Sequence, residues 1–524
     1  MGREDAMRAM NWTAAGALMV WALAAPAAKA AAPTTDCASL AGRTLPEARV
    51  LSAEAITAGR YKAPDGTVTF PDLPAFCRVV ALAETDVKVE VWLPQAGWNG
   101  RFQGVGNGGF AGNFSYYAMG PALRAGYAVA GTDTGHGPAE GKPGTRLDWM
   151  HDPTQLANWG HNSIHRMTIA AKAIVAAHYG TPAAHAYFEG CSTGGAQAMT
   201  EAEYFPGDYD GIHAGAPGMN YTRLMMSFLW SSRATLLDPA STLPAETLAL
   251  LHKAVLTACD AADGVKDGVI ENPPACHFDP ATLQCPAGAT DTAACLTAPQ
   301  VTAARALYAG PRNPRTGEAI YPGLVPGSEW GWDLQQGKLL EAYVIPLFQN
   351  MVYDNLSWRW QDFDFDHDVT LTDEKVGATI TAVSPDLSAF QARGGKLIMS
   401  QGWADQLNAQ TYPIHYYHAV AGTPDPAQAR ARLGGYFRLF MAPGMGHCFG
   451  GPGPNRFDAV AALRAWVEQG KAPEWLVAAK HADDRDPTSA VLRTRPLCPY
   501  PSVARWSGKG SSDEAANFTC AAPQ

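Results

Sequence analysis

The alternation of apolar and charged residues is clearest from Val87 to Leu93, where Lys88 and Glu90 separate valines. A period of two predicts a strand with one face in the core and the other in solvent. Further along, short apolar runs predict buried strands, and apolar residues spaced three and four apart predict helices. These are a strand at 126–133, a helix at 162–179, a strand at 185–188 and a helix at 196–204. This alternation of strands and helices predicts an α/β protein with a parallel sheet and helices on both faces.

This alternation stops after a further strand predicted around Ile212. Residues 219–384 are rich in Trp, Pro, Asp and Cys and show no strand-helix repeat. The pattern resumes with strands at 396–399 and 436–440 and a helix at 458–470. Because a chain of 524 residues exceeds what one growing core accommodates, we predict a core formed by residues 31–218 and 385–524. An inserted lid domain at 219–384 interrupts it, and a disulfide pins the C-terminal tail.

The first thirty residues have the form of a signal peptide. Arg3 and Arg8 precede an apolar run at 14–25, which ends in a small-x-small cleavage site at 28–30. The alternative is a membrane anchor, but this run is too short to span a bilayer comfortably, and no later stretch approaches the required length. We therefore expect a secreted or periplasmic protein whose mature chain begins near Ala31.

Charge and cysteine content narrow the functional class. A formal net charge of −10 over this length provides no basic face for nucleic acid or for an anionic membrane. The expected partner is a small molecule, and the oligomeric state is left open. Ten cysteines without paired C-x-x-C spacing indicate disulfides rather than a metal cluster in an exported protein.

The stretch from Tyr187 to Gly195 matches the pattern G-x-S-x-G, with Gly190 and Gly194 on either side of Ser192. In a nucleophile elbow this serine occupies a strained turn between a strand and a helix, where its hydroxyl is exposed above the sheet. The predicted strand before the motif and the predicted helix after it supply that context. We predict that Ser192 is a nucleophile.

A serine needs a base and a carboxylate that orients the base. In an α/β hydrolase these follow the serine in the order acid, then histidine. Asp405 follows the strand predicted at 396–399, and His447 follows the strand predicted at 436–440. Both lie where strands of such sheets end and build their sites, so Asp405 is the predicted orienting acid and His447 the predicted base.

Two cysteines stand next to these residues. Cys191 precedes Ser192, and Cys448 follows His447. Contact between the serine and the histidine would bring the two cysteines close enough for a disulfide. The alternative is that Cys191 is itself the nucleophile, although an exported thiol tends to oxidise.

A glycine-rich loop at 104–110 follows a strand and lies upstream of the elbow. In an α/β hydrolase this loop supplies the second N–H of the oxyanion hole. The competing interpretation is a phosphate-binding loop, but no Lys-Ser or Lys-Thr pair follows it.

The predicted insertion contains an acidic loop from Cys259 to Val269, with carboxylates at Asp260, Asp263 and Asp267. Carboxylates and backbone carbonyls are the ligands that Ca²⁺ prefers. The spacing does not match an EF-hand, so the residues alone leave a calcium site and a solvated acidic turn equally open.

Taken together, these motifs resemble the tannase and feruloyl esterase family, which includes a terephthalate monoester hydrolase. The resemblance extends from about Cys37 to Cys520. It rests on Trp98-Asn99-Gly100-Arg101, the elbow at 190–195, the acidic loop, Gly444-x-x-His447-Cys448 and the tail motif at 493–500.

The resemblance implies an α/β-hydrolase fold with a large inserted lid, and a triad of Ser192, Asp405 and His447. It implies that the N–H groups of Gly109 and Thr193 form the oxyanion hole. It also implies a structural Ca²⁺ in the lid, held by Asp260, Asp263, Asp267 and the carbonyls of Val265 and Val269. The implied disulfides are Cys37–Cys77, Cys191–Cys448, Cys259–Cys276, Cys285–Cys295 and Cys498–Cys520.

For function, the resemblance implies a serine esterase acting on aromatic, phenolic acid esters such as hydroxycinnamates or gallates. Eight aromatic residues of the insertion could contact a ring: Trp230, Trp330, Trp332, Tyr343, Phe348, Tyr353, Trp358 and Trp360. We expect one or two of them to touch substrate and the others to form lid core. The segment at 343–366 is shorter than in the terephthalate monoester hydrolase, and Arg359 is the only arginine near the position of that enzyme's carboxylate-binding arginine. Alternatives are a terephthalate monoester hydrolase, a general carboxylesterase and a non-enzymatic ligand-binding protein.

Overall fold

A computed structural model describes residues 32–110, 112–137 and 147–523. The predicted signal peptide lies outside the described residues. The strands are β1 Thr44–Leu45, β2 Ala48–Ile56, β3 Gly59–Lys62, β4 Thr69–Leu73, β5 Phe76–Ala83, β6 Lys88–Pro94, β7 Arg101–Val105, β8 Ala128–Thr132, β9 His185–Cys191, β10 Gly211–Gly215, β11 Lys396–Gly402, β12 Phe437–Ala442, β13 Leu476–His481, β14 Val491–Leu497, β15 Val503–Trp506 and β16 Phe518–Ala521.

The helices alternate with the central strands and also fill the long connection between β10 and β11. They are α1 Tyr116–Arg124, α2 Pro153–Ala157, α3 Ser163–Tyr179, α4 Thr193–Tyr204, α5 Tyr221–Leu236, α6 Ala245–Cys259, α7 Ala298–Ala309, α8 Ile345–Leu347, α9 Asp368–Thr372, α10 Ala378–Ile380, α11 Ser388–Ala392, α12 Tyr412–Ala421, α13 Pro426–Leu433 and α14 Ala459–Gln469. Each core element predicted from periodicity is present, with ends shifted by a few residues. No helix in the described ranges is long and apolar enough to cross a bilayer.

Ten strands form one sheet in the order β1-β2-β5-β6-β8-β7-β9-β10-β11-β12. The six strands from β8 to β12 pair in parallel, whereas β1, β2, β5 and β6 pair antiparallel, as do β6 and β8. The prediction of a parallel sheet is therefore wrong for one edge. The short connections between the early strands explain this difference, because neighbouring strands joined without a crossover helix pair antiparallel.

The prediction of a solvated face on β6 is also wrong. Lys88 is exposed, but Glu90 is only 1% exposed. The Glu90 carboxylate accepts two hydrogen bonds from Arg78, at 2.7 Å each, one from Trp92 at 2.7 Å and one from Tyr116 at 3.0 Å. A buried charge persists where hydrogen bonds and an opposite charge compensate its desolvation. The alternation of residue types therefore did not reveal that α1 covers this face.

Helices pack on both faces of the sheet, as the alternation of strands and helices predicted. On one face, buried residues of α3, α4, α12 and α13 pack with side chains such as Phe188 and Leu397. On the other, buried residues of α1 and α14 pack with side chains such as Tyr187 and Ile398. Neighbouring residues of one strand thus enter opposite cores, which is the geometry of a strand buried on both sides.

The chain leaves the sheet after β10 and returns to it at β11, the adjacent strand in parallel register. Residues 219–384 contribute helices and no strand of the sheet. They form two further apolar clusters, one of which also includes Phe110, Trp149 and Trp159 from the first part of the chain. The insertion is therefore packed on the loops beyond the carboxyl ends of the central strands. Its role as a lid stays a prediction.

Candidate active site

Ser192 lies at the sharp turn between β9 and α4, with φ of 63° and ψ of −121°. Non-glycine residues rarely adopt a positive φ, and the backbone around this one holds it in place. The Ser192 N–H donates to the Gly215 carbonyl at 3.0 Å, and the Ser192 carbonyl accepts from the Gly218 N–H at 2.9 Å. A Cβ at Gly190 would lie 2.2 Å from the Gly194 carbonyl oxygen, so this turn requires glycine. The local geometry is that of the predicted elbow.

Asp405 and His447 form a hydrogen-bonded pair beyond the ends of β11 and β12. The Asp405 carboxylate is fully buried and lies 2.9 Å from His447 Nδ1. It also accepts from Gln401 Nε2 at 2.8 Å, and from the N–H groups of Leu407 and Asn408 at 2.8 and 3.0 Å. These contacts fix the carboxylate and, through it, the orientation of the imidazole.

The other ring nitrogen of His447, Nε2, is buried and has no hydrogen-bond partner among the described residues. A buried polar atom without a partner is unusual and calls for an explanation, such as a catalytic role. The Asp405 contact at Nδ1 assigns the ring proton to that nitrogen. Nε2 is then an acceptor without a donor, which is the state a general base requires.

The structure brings the serine and histidine loops together covalently. Cys191 and Cys448 form a disulfide with a Cα–Cα distance of 5.9 Å, across a sequence separation of 257 residues. The residues beside this bridge are Ser192 and His447. The alternative that Cys191 is a nucleophile is therefore wrong, because its sulfur is bonded. The remaining disulfides are the four other pairs that the resemblance implies.

The two predicted oxyanion donors lie on adjoining segments. Thr193 is the first residue of α4, so its N–H has no acceptor inside the helix. Gly109 belongs to the glycine-rich loop after β7 and has φ of 55°. This loop lies directly on the elbow, because a Cβ at Gly106 would come within 2.6 Å of the Gly194 Cα.

Two amide side chains that were not predicted as site residues hold this loop on α4. The Asn107 N–H donates to Gln197 Oε1 at 2.9 Å, and Gln197 Nε2 donates back to Asn107 Oδ1 at 3.2 Å. Gln406 supports the histidine loop in a similar way, because its side-chain oxygen accepts from the His447 N–H at 3.1 Å. The sequence does contain one indication of Gln197. It is four residues after Thr193, a predicted site residue, and so lies on the same face of a helix.

A buried carboxyl lies behind the glycine-rich loop. Asn107 Nδ2 donates to the Thr132 carbonyl at 2.8 Å, and the next residue, Asp133, accepts from the N–H groups of Lys88 and Gly135 at 3.0 and 2.9 Å. Burial raises the pKa of Asp133 to about 6, although these backbone hydrogen bonds oppose the shift. Asp133 is thus a titratable part of the support for this loop.

Two of the eight aromatic residues of the insertion approach the site. Trp330 is 38% exposed, donates from its indole to the Ala404 carbonyl at 3.2 Å, and lies against Gly446. The Tyr343 hydroxyl packs on Gly109, since a Cβ there would lie 2.8 Å from the phenolic oxygen. Trp330 therefore borders the Asp405 and His447 loops, and Tyr343 borders the glycine-rich loop.

The other aromatic residues lie elsewhere. Trp332 and Phe348 are fully buried, and Tyr353 and Trp358 stack near Phe348. Trp230 and Trp360 pack at the margin of the apolar cluster that contains Phe348. The Arg359 side chain is 67% exposed and lies 3.7 Å from Asp362, and no described contact connects it to the site.

The acidic loop folds back on itself. Asp260 is buried and accepts from the N–H groups of Asp267 and Gly268 at 3.1 and 3.2 Å. Asp263 accepts from the Val265 N–H at 2.9 Å. Burial raises the pKa of Asp263, and the nearby charges of Asp267 and Asp260 raise it further. The charges of Asp267 and Asp260 therefore repel that of Asp263, and a positive charge nearby would offset this repulsion.

Arg493 and Arg495 of β14 both donate to the Asp267 carboxylate, Arg493 at 3.0 Å. Within the described ranges, no three Asp, Glu, His or Cys side chains gather closely enough to hold a metal ion. A cation at this loop would therefore need carbonyl oxygens as well. The carbonyls of Val265 and Val269 accept no hydrogen bond from described residues. These donors are of the type that Ca²⁺ prefers, and an ion with six to eight oxygen ligands would need water or further carbonyls to complete its shell.

Comparisons with known proteins agree with this geometry. The family model "Tannase and feruloyl esterase" matches residues 74–521. An uncharacterized esterase of Xanthomonas campestris is 40% identical over 94% of this chain and 92% of its own. The mono(2-hydroxyethyl) terephthalate hydrolase of Piscinibacter sakaiensis is 34% identical over 89% and 88%. The crystal structure of an esterase from Aspergillus oryzae superposes with a TM-score of 0.85 at 29% identity, covering 93% of this chain and 99% of the other.

Proposed function

The chain belongs to the tannase and feruloyl esterase family and is a carboxylic ester hydrolase with an α/β-hydrolase fold, and we propose that it cleaves esters of phenolic acids with Ser192 as nucleophile. One arrangement of the catalytic loops supports Ser192 as the nucleophile. The Cys191–Cys448 disulfide joins the two loops that hold Ser192 and His447, and the free His447 Nε2 is buried beside them. Family membership also sets aside the hypothesis of a non-enzymatic ligand-binding protein.

In the proposed acylation step, His447 Nε2 takes the Ser192 hydroxyl proton as the serine oxygen bonds to the ester carbonyl carbon. Asp405 holds the imidazole in the required tautomer and stabilises its positive charge. The tetrahedral intermediate then expels the alcohol, which receives the proton from His447. Water repeats the sequence on the acyl-enzyme and releases the acid.

The carbonyl oxygen gains negative charge in both steps. The N–H groups of Gly109 and Thr193 are the proposed donors to it, and the α4 N-terminus adds a favourable dipole. The amide pair of Asn107 and Gln197 supports this arrangement, because it fixes the loop of one donor to the helix of the other. Fixed donors need no reorganisation as the charge develops.

The phenolic substrate class is proposed from the two aromatic side chains at the site. Trp330 offers a partly exposed indole face and Tyr343 a phenol next to the oxyanion loop. A planar acyl group packs favourably between aromatic surfaces. Arg359 lends no support to a terephthalate monoester, since its charge faces solvent and Asp362. We therefore retain that substrate, and aliphatic esters, as alternatives.

Secretion or transport to the periplasm is proposed from residues 1–30 and from the five disulfides. Disulfides persist in oxidising compartments and are rare in the cytosol. We further propose a structural Ca²⁺ held by Asp260, Asp263, Asp267 and the carbonyls of Val265 and Val269. Bound there, the ion would neutralise the clustered carboxylates and stabilise the insertion.

The substrate proposal is tested by comparing kcat/KM on methyl ferulate, methyl gallate, chlorogenate, a terephthalate monoester and an aliphatic butyrate. We expect a phenolic ester to exceed the butyrate by at least tenfold, or about 1.4 kcal/mol, because the ring buries more apolar area than a propyl chain and aromatic packing contributes about 0.5 to 1.5 kcal/mol beyond that burial. Trp330→Ala should reduce this preference. Trp475→Ala, at another tryptophan that is 59% exposed, is the control. A butyrate rate tenfold above all aromatic esters would favour the general carboxylesterase.

A further inference from the structure

A cavity lies within the insertion, away from the candidate catalytic residues. Its volume is about 580 Å³, which falls in the range of small-molecule sites. It opens between α5, α7 and the segment at 363–365. The lining residues that matter here are Trp230, Arg233, Thr302, Phe363, Asp364 and Phe365.

The walls of this cavity are aromatic and fixed in place. The Trp230 and Phe365 rings stand at 90° with centroids 5.3 Å apart, and Phe363 packs edge-on against Phe365 at 4.9 Å. Trp230 is anchored by a hydrogen bond of 2.9 Å to the Ala306 carbonyl, and both phenylalanines are buried. Rigid aromatic walls at right angles favour a planar ring over a flexible aliphatic chain.

Arg233 supplies a positive charge to the same cavity. It donates one hydrogen bond of 2.7 Å to the Phe363 carbonyl and lies 5.7 Å from the centre of the Phe365 ring. No carboxylate of the described residues forms an ion pair with it. A guanidinium has five N–H donors in a planar fork that matches a carboxylate. Several of these donors therefore remain for an anionic ligand.

Asp364 supplies the opposite charge. Its Oδ1 accepts from the Asp366 N–H at 2.9 Å, which leaves Oδ2 as an acceptor. Since Arg233 and Asp364 both line the cavity without pairing, a ligand with an acceptor at one end and a donor at the other would satisfy both groups.

We propose that this cavity is a binding site for a free hydroxylated aromatic acid. The acid's carboxylate pairs with Arg233, its ring packs against Trp230 and Phe365, and its phenolic hydroxyl donates to Asp364. This inference rests on the proposed function in one respect, because the ligand is of the class that phenolic ester hydrolysis releases. The site itself is argued from the cavity alone.

The cavity and the candidate active site are at opposite ends of one helix. Tyr221, the first residue of α5, faces the same small cavity as Thr193. Arg233 is twelve residues further along this helix, a distance of about 18 Å at 1.5 Å per residue. An acid bound at Arg233 therefore does not occupy the position of the ester at Ser192, and both ligands can be bound at once.

The test is isothermal titration of the full-length protein with ferulate. Arg233→Gln removes the charge, and Thr302→Trp fills the cavity from an exposed lining position. Arg359→Gln is the matched control, because that arginine is exposed and lies outside the cavity. We expect wild type and the control to bind two ferulates per chain, one at each site. Arg233→Gln should weaken one site at least tenfold, as expected when a charge-assisted contact is lost. Thr302→Trp should remove or weaken the same site at least tenfold, because the indole occupies the space of the ligand.

The inference is overturned if both cavity variants bind ferulate with the stoichiometry and affinity of the wild type. Should Arg233→Gln fail to fold, as judged by its melting curve, Thr302→Trp alone decides. Failure of the proposed function has a different signature. In that case phenolic esters would not be hydrolysed, while ferulate binding would still depend on Arg233.

Discussion

Ser192 shows how much of the site depends on the conformation of one residue. Its positive φ carries a cost of about 1 to 3 kcal/mol, which the surrounding structure must offset. Two backbone hydrogen bonds to the Gly215–Gly218 segment and the disulfide at Cys191 do so. The serine hydroxyl is thereby presented at the helix N-terminus rather than packed into the helix.

The buried Asp133 carboxyl predicts how the free energy of unfolding depends on pH. Its folded-state pKa is about 6, above the ordinary value of 3.8, because the carboxyl is buried. Between these values the folded state binds more protons than the unfolded state, so this group lowers the free energy of unfolding as pH rises. The full cost, about 3 kcal/mol, is present above pH 6 and absent below pH 4.

Asp133→Asn should therefore gain stability relative to wild type as pH rises from about 4 to 6. Urea unfolding of both proteins at pH 4, 5, 6 and 7 measures this difference. The asparagine retains an acceptor for the Lys88 and Gly135 N–H groups. A difference in free energy of unfolding that is constant across this range would contradict the assignment.

The candidate triad could be predicted from sequence, whereas its supports could not. Ser192, Asp405 and His447 are residue types with distinctive chemistry, each placed at the end of a predicted strand. Gln197 and Gln406 are amides of ordinary appearance. Their importance arises from contacts 90 and 41 residues away along the chain, and no local pattern records such contacts.

At the scale of elements, the Cys191–Cys448 disulfide connects the β9–α4 turn to the loop after β12. Closing a loop of 257 residues stabilises the fold by about 5 kcal/mol in the chain-entropy model. Its second effect is alignment, because a shift of about 1 Å in a catalytic group can cost roughly a hundredfold in rate. Replacing both cysteines with alanine should therefore lower kcat about a hundredfold in protein that is still folded.

The matched control is Cys285→Ala with Cys295→Ala, which removes a disulfide in the insertion with a separation of 10 residues. This variant should keep a near-native kcat. Circular dichroism at the assay temperature establishes that both variants are folded. A folded Cys191/Cys448 variant with wild-type kcat would show that the bridge does not align the site.

The acidic loop is the other element with a testable role. It connects the insertion to the tail, since Asp267 binds Arg493 and Arg495 and the Glu271 carboxylate accepts from the Ala504 N–H at 2.7 Å. If the proposed Ca²⁺ is structural, one ion per chain should be found by elemental analysis. A strong chelator should lower the melting temperature by several degrees, because a ligand bound only to the folded state stabilises it.

Asp263→Asn should lose the ion and reproduce the effect of the chelator. Asp279→Asn, at an exposed carboxylate paired with Arg305, should retain the ion. Equal melting temperatures with and without chelator, together with no bound metal, would refute the calcium proposal. The loop would then be the solvated acidic turn that the residues alone left open.

Strands and helices were predicted well where the spacing of apolar residues follows directly from burial. They were predicted less well where the pairing of strands determines the structure. The strands β9 to β12 were recognisable because both of their faces are buried, which gives continuous apolar runs. The antiparallel edge of the sheet and the burial of Glu90 were not recognisable from the sequence. Strand direction and the covering of β6 by α1 are set by tertiary packing, and the sequence of one strand does not encode them.

In the molecule as a whole, the proposed acyl-transfer groups follow strands of the sheet, and the insertion forms the surroundings of the candidate site. The connection between two adjacent strands, β10 and β11, is long enough to form its own apolar clusters. Trp330 and Tyr343 extend from it to the site, and Trp230 and Arg233 form a separate cavity. The change of composition after residue 218 is visible in the sequence, but which aromatic residues turn outward depends on packing.

If Ser192 is an activated nucleophile, a fluorophosphonate should label it and stop hydrolysis, and active-site titration measures both effects. The residual rate on methyl ferulate is measured against the fraction of chains labelled, and the adduct is located by peptide mass spectrometry. We predict a linear decline to zero activity at one label per chain, with the label on Ser192 and no label in Ser192→Ala. Undiminished hydrolysis by fully labelled protein, or an adduct on another residue that accounts for the loss, would show that Ser192 is not the nucleophile.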